Sequence, residues 1–266
     1  MYPILLPLFG PLALHGYGFF IALGVATFVF CVQRDAKCIR LGMNKRITSI
    51  IYIGFLGAFF GGKILYYYTE QSQMHWLHAI LPWNGGFSIL GSIIGGLSTL
   101  LLYFSRTQNA LLANFDCIAP YVPLLQSFGR IGCFFAGCCY GKPCDITVSV
   151  QGTSQVPLIA FHIYQHPVQL YSALFLFCIF FYLFKRKDNE NVPDGQITVQ
   201  YLMLTSFERF VIDYWRGDKT FTRFGSTLSD NQCLAIAIFL LSFFSYIFTY
   251  FYYKKQLRPL VQPPVP

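Results

Sequence analysis

This sequence predicts an all-α polytopic membrane protein of about seven transmembrane helices, N-terminus out and C-terminus in, and three observations predict it. First, 55% of its 266 residues are hydrophobic and only 11% are charged, against roughly a quarter charged in a soluble domain. So little polar surface cannot face water all round, whereas lipid accepts apolar side chains without penalty. Second, the apolar residues fall in stretches near the roughly 20 residues that cross a bilayer. Third, Lys and Arg cluster in alternate loops, which orients the spans.

The first span runs over 17–32 and the second over 47–68. The third, 87–104, is entered through Gly85-Gly86, and the fourth, 115–135, is interrupted by Pro120, Pro123 and Arg130. Spans over 168–184, 197–215 and 232–253 complete the seven. The first loop carries Arg34, Lys37, Arg40, Lys45 and Arg46 and reads as cytoplasmic. Segment 69–84 has no Lys or Arg and reads as outside. Arg106, Lys185-Arg186-Lys187 and Lys254-Lys255 fall on the cytoplasmic side of the same alternation, while the basic residues of 216–230 are the mild exception. Tyr66, Tyr67, Tyr68, Trp76, Trp83 and Trp215 then sit at the outer interface, as an aromatic belt. Residues 1–14 lack a basic leader region, so no cleaved signal peptide is expected. With no repeat or linker, 1–266 reads as one membrane domain, with 141–166 an outward, extended polar cap and 259–266 a disordered tail.

A formal net charge of +8 would suggest nucleic acid in a soluble protein. Here the charge is accounted for by topology and by attraction to anionic headgroups, so nucleic acid is excluded as a partner and the membrane takes its place.

Ionisable residues within spans are expensive and call for a reason. Arg130 lies in a run with Gly129, Gly132, Gly137 and Gly141. Glycines there let backbones approach closely and break a helix, and a guanidinium offers a planar fork of donors that matches a phosphate. The run reads as a headgroup-binding hole; the plain alternative is tight helix packing with Arg130 snorkelling to the interface. A second group is Arg209, Asp213 and Arg216, spaced so that a carboxylate braces two cations on one helix face. Its plain alternative is a self-satisfied ion pair at a helix end. A third is His166-Pro167-Val168-Gln169-Leu170-Tyr171, where the proline marks a helix start and places His166 and Gln169 at its mouth; a lone His there is more often structural than catalytic.

Cys133, Cys138, Cys139 and Cys144 cluster on the outward, oxidising side. A disulfide clip among them is the favoured reading, inert packing the next, and a metal site the last, because the run lacks the paired Cys-x2-Cys turns that zinc favours. Cys31, Cys117, Cys178 and Cys233 read as packing within spans, and Cys38 as a reduced thiol.

The glycine-rich Arg130 run, His166-Pro167-Val168-Gln169-Leu170-Tyr171, the Arg209–Asp213–Arg216 helix, Tyr17-Gly18 and Gly85-Gly86-Phe87-Ser88 together resemble the phosphatidylglycerol–prolipoprotein diacylglyceryl transferase family, in order and over almost the whole chain. That resemblance implies a bacterial inner-membrane enzyme moving diacylglyceryl from phosphatidylglycerol to the lipobox Cys thiol of a prolipoprotein, with release of glycerol phosphate and no metal or cofactor. By motif match Arg130 and Arg209 hold the phosphate, with His166 assisting. Tyr17, Ser88, Gly129, Gly132, Gly137, Gly141, Asp213 and Arg216 then line the substrate site. The sequence departs from the family pattern at Cys133, Ala136 and Cys138, which stand where the family has Asn, Asn and Glu. Leu90 stands where the family has the His proposed as thiol-activating base, and an aliphatic side chain takes no proton. Two rival readings follow: a membrane thiol oxidoreductase built on the cysteines, and an inactive lipid-binding paralogue.

Overall fold

In lipid a backbone has only its own carbonyls as hydrogen-bond partners, so long apolar runs without internal proline fold as helices. The computed structural model describes residues 4–7, 13–70, 86–107, 111–144, 150–152, 163–189, 192–217 and 228–257. Helix α1 is Gly16–Arg34, α2 Ala36–Arg40, α3 Met43–Glu70, α4 Ile89–Ser105 and α5 Leu111–Ile118. A 3-10 turn at Ala119–Tyr121 leads into α6, Val122–Ala136; then come α7, Val168–Arg186, α8, Gln196–Trp215, and α9, Asp230–Leu257. Two short antiparallel hairpins accompany them, β1 (Ile4–Pro7) with β2 (Ala13–His15) and β3 (Val150–Gly152) with β4 (Ile163–Gln165).

The architecture is helical, and among the described residues four helices are long and apolar enough to cross a membrane: Gly16–Arg34, Met43–Thr69, Val168–Arg186 and Asp230–Phe251. The other three expected spans differ for physical reasons. Helix α4 has 17 residues, short for a crossing. The 115–135 stretch divides between α5, the 3-10 turn and α6, where Pro120 and Pro123 cannot donate to the preceding turn. Helix α8 carries Glu208, Arg209 and Asp213. Trp76, Trp83 and the rest of 71–85 lie outside the described residues, as do 145–149, 153–162, 218–227 and the tail from 258.

The chain divides into two compact units, Val32–Asn114 and Met1–Cys31 with Phe115–Pro266. In the 32–114 unit, α3 and α4 meet along glycines spaced by four: a side chain at Gly57, Gly61, Gly91 or Gly95 would run into the facing backbone. Small residues at this spacing bring helix backbones into direct contact, which is how helices associate where lipid supplies no hydrophobic drive. Ser88 caps α4, its hydroxyl accepting from Gly91 N at 3.3 Å while its own N–H donates to Gly62 O at 3.2 Å. Asp35 caps α2 by accepting from Cys38 N at 3.0 Å. Cys38 itself is disulfide-bonded, not the reduced thiol that its loop position suggests.

In the other unit, Leu176, Ile179 and Leu183 of α7 pack with Ala119 and Ile197 in a buried cluster. Cys117 is disulfide-bonded, where the sequence reading makes it packing. Buried Asp116 accepts from Gly195 N (2.7 Å), Thr198 N (2.8 Å) and Thr198 Oγ1 (2.6 Å). A carboxylate placed there satisfies the orphan N–H groups of α8 and complements its dipole, so Asp116 sets where α8 begins. Ser127 Oγ donates to Ala173 O at 2.9 Å, joining α6 to α7. Helix α1 lies on α6 through Phe20 stacked on Phe135 and through Gly24, whose missing side chain leaves room for Phe128 and Leu125.

Candidate active site

Helix α6 does not break at its glycines. It runs through Gly129 and Gly132 and stops at Gly137, whose φ of 73° is the left-handed conformation that glycine adopts freely. Gly132 gives Tyr17 its place: an added side chain would come within 3.3 Å of the tyrosine ring and backbone. Gly129 has only Ile21 beside it, at ordinary contact distance. Beyond the helix end the chain is held from both sides. Lys142 N donates to Trp215 O at 2.8 Å, Gly217 N to Tyr140 O at 3.1 Å and His166 N to Lys142 O at 3.1 Å. Gly141 bridges Arg216 so tightly against His166 that no side chain fits on it. Gln169 Nε2 donates to Cys138 O at 2.7 Å, fixing the turn to the start of α7.

These ties bring the charged residues of α6 and α8 together. Arg130 acts electrostatically on Tyr17, Glu208 and Arg209, and Arg209 also feels Arg216, Asp213 and Glu208. Three guanidiniums therefore share one neighbourhood with two carboxylates. Glu208 is buried and accepts from Ser172 Oγ at 2.5 Å. Asp213 is wholly buried; Ser229 Oγ donates to its Oδ2, while Oδ1 makes no hydrogen bond and faces Arg216 Nε at 4.0 Å. Asp213 thus braces Arg216 from behind and is shut away from any ligand. The sequence spacing alone has it between two arginines.

Tyr17, Arg130, Arg209, Asp213, Arg216, Gly132, Gly141 and His166 all belong to this unit. His166 is half-buried, with its ring 6.3 Å from that of Tyr171. Ser88 and Leu90 belong to the 32–114 unit, where the Ser88 hydroxyl is taken up in capping α4. Sequence reasoning passes over Glu208 and Ser172. The rule that singled out Arg209, an ionisable group inside a span, would have found Glu208 beside it; nothing in the sequence marks Ser172.

The cysteines depart from expectation. Cys133, Cys138, Cys139 and Cys144 are free thiols, so the disulfide clip is not present. Nevertheless the sulfurs of Cys133, Cys138 and Cys139 all lie within 4.8 Å of one another. Beyond the helix end, hydrogen bonds from the Cys133 and Cys138 thiols, with Arg216 and Arg130 further off, hold the Cys139 thiol well below its ordinary value. Cys138, hydrogen-bonded to Cys133 and Cys139, is pushed up.

A helical membrane protein with three arginines gathered beside a tyrosine and two buried carboxylates defines a class: a polytopic protein with a cluster of charged side chains between its helices. The family follows from comparison. The sequence model for prolipoprotein diacylglyceryl transferase matches residues 3–248, and the chain belongs to that family. It is 34% identical over 260 residues to a phosphatidylglycerol–prolipoprotein diacylglyceryl transferase of Clostridium tetani, covering 96% of this chain and 100% of that one. A protein of the same name from Photobacterium profundum is 30% identical, covering 88% and 87%. One from Clostridium perfringens, bearing that name with the number 2, is 29% identical, covering 86% and 88%.

Proposed function

We propose that this chain transfers a diacylglyceryl group from phosphatidylglycerol to the lipobox cysteine thiol of a prolipoprotein at the bacterial inner membrane. Family membership supports the reaction. The observation that carries the site is the mutual proximity of Arg130 and Arg209 on different helices. Three guanidiniums against the two carboxylates Glu208 and Asp213 leave positive charge over, and the lipid phosphate, a fork-matched diester beside the scissile glyceryl carbon, supplies an anion for it.

The acceptor sulfur attacks the glyceryl carbon; an S–C bond forms as the C–O bond to phosphate breaks, and glycerol phosphate leaves with the electron pair. The thiol proton passes to a base or to water. Arg130 and Arg209 stabilise the charge that grows on the phosphate as it leaves, which is where fixed donors contribute most. Arg216, held by Asp213, extends the cationic wall, and Tyr17 lines it. His166 stands at the mouth and contributes modestly, while Leu90 supplies no base. Nothing in the step calls for a cofactor or a metal. The chain crosses the membrane seven times, with α4, the α5–α6 stretch and α8 completing the four longer spans, N-terminus out and C-terminus in.

The test is rescue of a strain depleted of its own diacylglyceryl transferase. Expression of the wild-type chain restores lipoprotein processing and growth. Accumulation in the membrane without rescue would remove the reaction.

A further inference from the structure

The end of α6 has a geometry whose consequence reaches beyond lipid transfer. Gly137 in the left-handed conformation, Gly137 N to Phe134 O at 3.3 Å and Cys138 N to Cys133 O at 3.2 Å together make a Schellman stop. In that motif the side chains of the two residues joined by the longer-range of these bonds meet, normally as a hydrophobic contact. Here those two positions are Cys133 and Cys138. The next residue, Cys139, has a φ of 59°, the only positive value at a non-glycine among the described residues. That second left-handed residue turns the chain back on itself, and its sulfur joins the other two. The absence of a Cys-x2-Cys turn is no obstacle, because the helix stop does the same work.

We infer that Cys133, Cys138 and Cys139 form a binding site for a thiophilic metal ion, Zn2+ or Cu+, with the three sulfurs as donors. The sulfurs lie within 4.8 Å of one another. Around an ion with metal–sulfur bonds of about 2.3 Å they would stand about 3.8 Å apart, so closure needs shifts of about an ångström or less. Thiolates select such ions over harder cations. On binding, the thiols still protonated release their S–H protons to solvent, and three sulfur–metal bonds form. Cys138 is exposed, which gives the ion access, while Cys133 and Cys139 are half-buried. The Arg216 and Arg130 guanidiniums near Cys139 offset the net negative charge of a tris-thiolate complex. The turn is already fixed by Gln169 on Cys138 O and by Gly217 on Tyr140 O, so the donors are held before the ion arrives. The three sulfur donors are separate from the groups assigned to lipid transfer, although Arg130 and Arg216 lie near both.

The test uses the full chain in detergent micelles, with thiols reduced and reductant removed under anaerobic conditions. Titration with Co2+ is expected to give one ion per chain, a thiolate-to-cobalt charge-transfer band, and loss of the band on adding equimolar Zn2+. Cu+ is followed separately by competition with a chromophoric chelator. Cys138→Ser and Cys139→Ser each weaken binding at least tenfold, whereas Cys178→Ser and Cys233→Ser, on other helices, leave it unchanged. In the wild type, where folding of variants is not at issue, Zn2+ protects Cys138 and Cys139 from alkylation read by mass spectrometry. Absence of the band and of protection in fully reduced wild type, with no Cu+ uptake, overturns the proposal. So does a band that survives in the Cys138→Ser, Cys139→Ser double variant. A thiol count two short, with the missing pair inside the cluster before reduction, replaces the metal with a disulfide.

Discussion

Replacing Arg216 with Ala isolates what holds the base of the site together. Asp213 is wholly buried and its Oδ1 faces Arg216 Nε at 4.0 Å, with the arginine side chain 11% exposed. At that distance and an effective dielectric of about 20, the attraction is about 4 kcal/mol. Removing one member of a buried pair costs about 3–5 kcal/mol, because the other charge is left without compensation. Ser229 on Oδ2 and the more distant Arg209 soften this for Asp213, so the lower end, about 3 kcal/mol, is expected. At this chain length that lowers the unfolding midpoint by roughly 10 °C, measured by intrinsic fluorescence in detergent. The diagnostic variant is the double one, Arg216→Ala with Asp213→Asn. Asparagine removes the stranded charge while remaining an acceptor for Ser229, so the double variant is more stable than Arg216→Ala alone. A double variant that is less stable by the sum of the two single effects would refute the pairing.

Three further outcomes follow from the same geometry. Arg130→Ala lowers transfer by about 10²–10³-fold, the effect of deleting one donor to developing charge, while the protein still accumulates in the membrane. Arg130→Lys recovers little of this, since an ammonium lacks the planar fork; full activity in Arg130→Ala would take it out of the site. Gly95→Leu, which would drive a side chain into Gly57 and Gly61, destabilises the α3–α4 pair by about 1–3 kcal/mol, seen as a lower unfolding midpoint; an unchanged midpoint contradicts the close packing. Cys139 has a depressed thiol pKa, so its thiolate is present below the ordinary thiol range and is lost only as pH falls through the lowered value. Its alkylation by iodoacetamide in metal-free protein therefore persists at pH 6.5, where that of Cys138 has fallen away, and equal rates at that pH would contradict the ordering.

The membrane character was legible because composition and span length act residue by residue. Arg130 and Arg209 were legible for a related reason: a charge in an apolar run stands out against what insertion tolerates. What escaped is what depends on partners far away in sequence. Asp116 looks like a stray acid at the edge of a span, yet it sets the start of α8 through Gly195 and Thr198. Asp213 sits four residues from Arg209, which suggests a shared face, but Ser229 claims one of its oxygens. The prolines at 120 and 123 interrupt the fourth span as the sequence suggests, but the glycines of 129–141 do not break the helix until it stops at Gly137. Of the four cysteines that cluster in sequence, Cys133, Cys138 and Cys139 converge, but spacing does not reveal whether sulfurs bond or merely converge. That depended on the backbone angles of Gly137 and Cys139.

The most direct test of the central claim is a transfer assay on purified protein with phosphatidylglycerol and a lipobox peptide. Mass spectrometry follows the peptide and a coupled assay follows glycerol phosphate. The account predicts that the peptide gains one diacylglyceryl group on its cysteine, with one glycerol phosphate released per peptide, and that Arg130→Ala and Arg209→Ala lose both signals together. Wild-type protein that binds phosphatidylglycerol but neither modifies the peptide nor releases glycerol phosphate would contradict it.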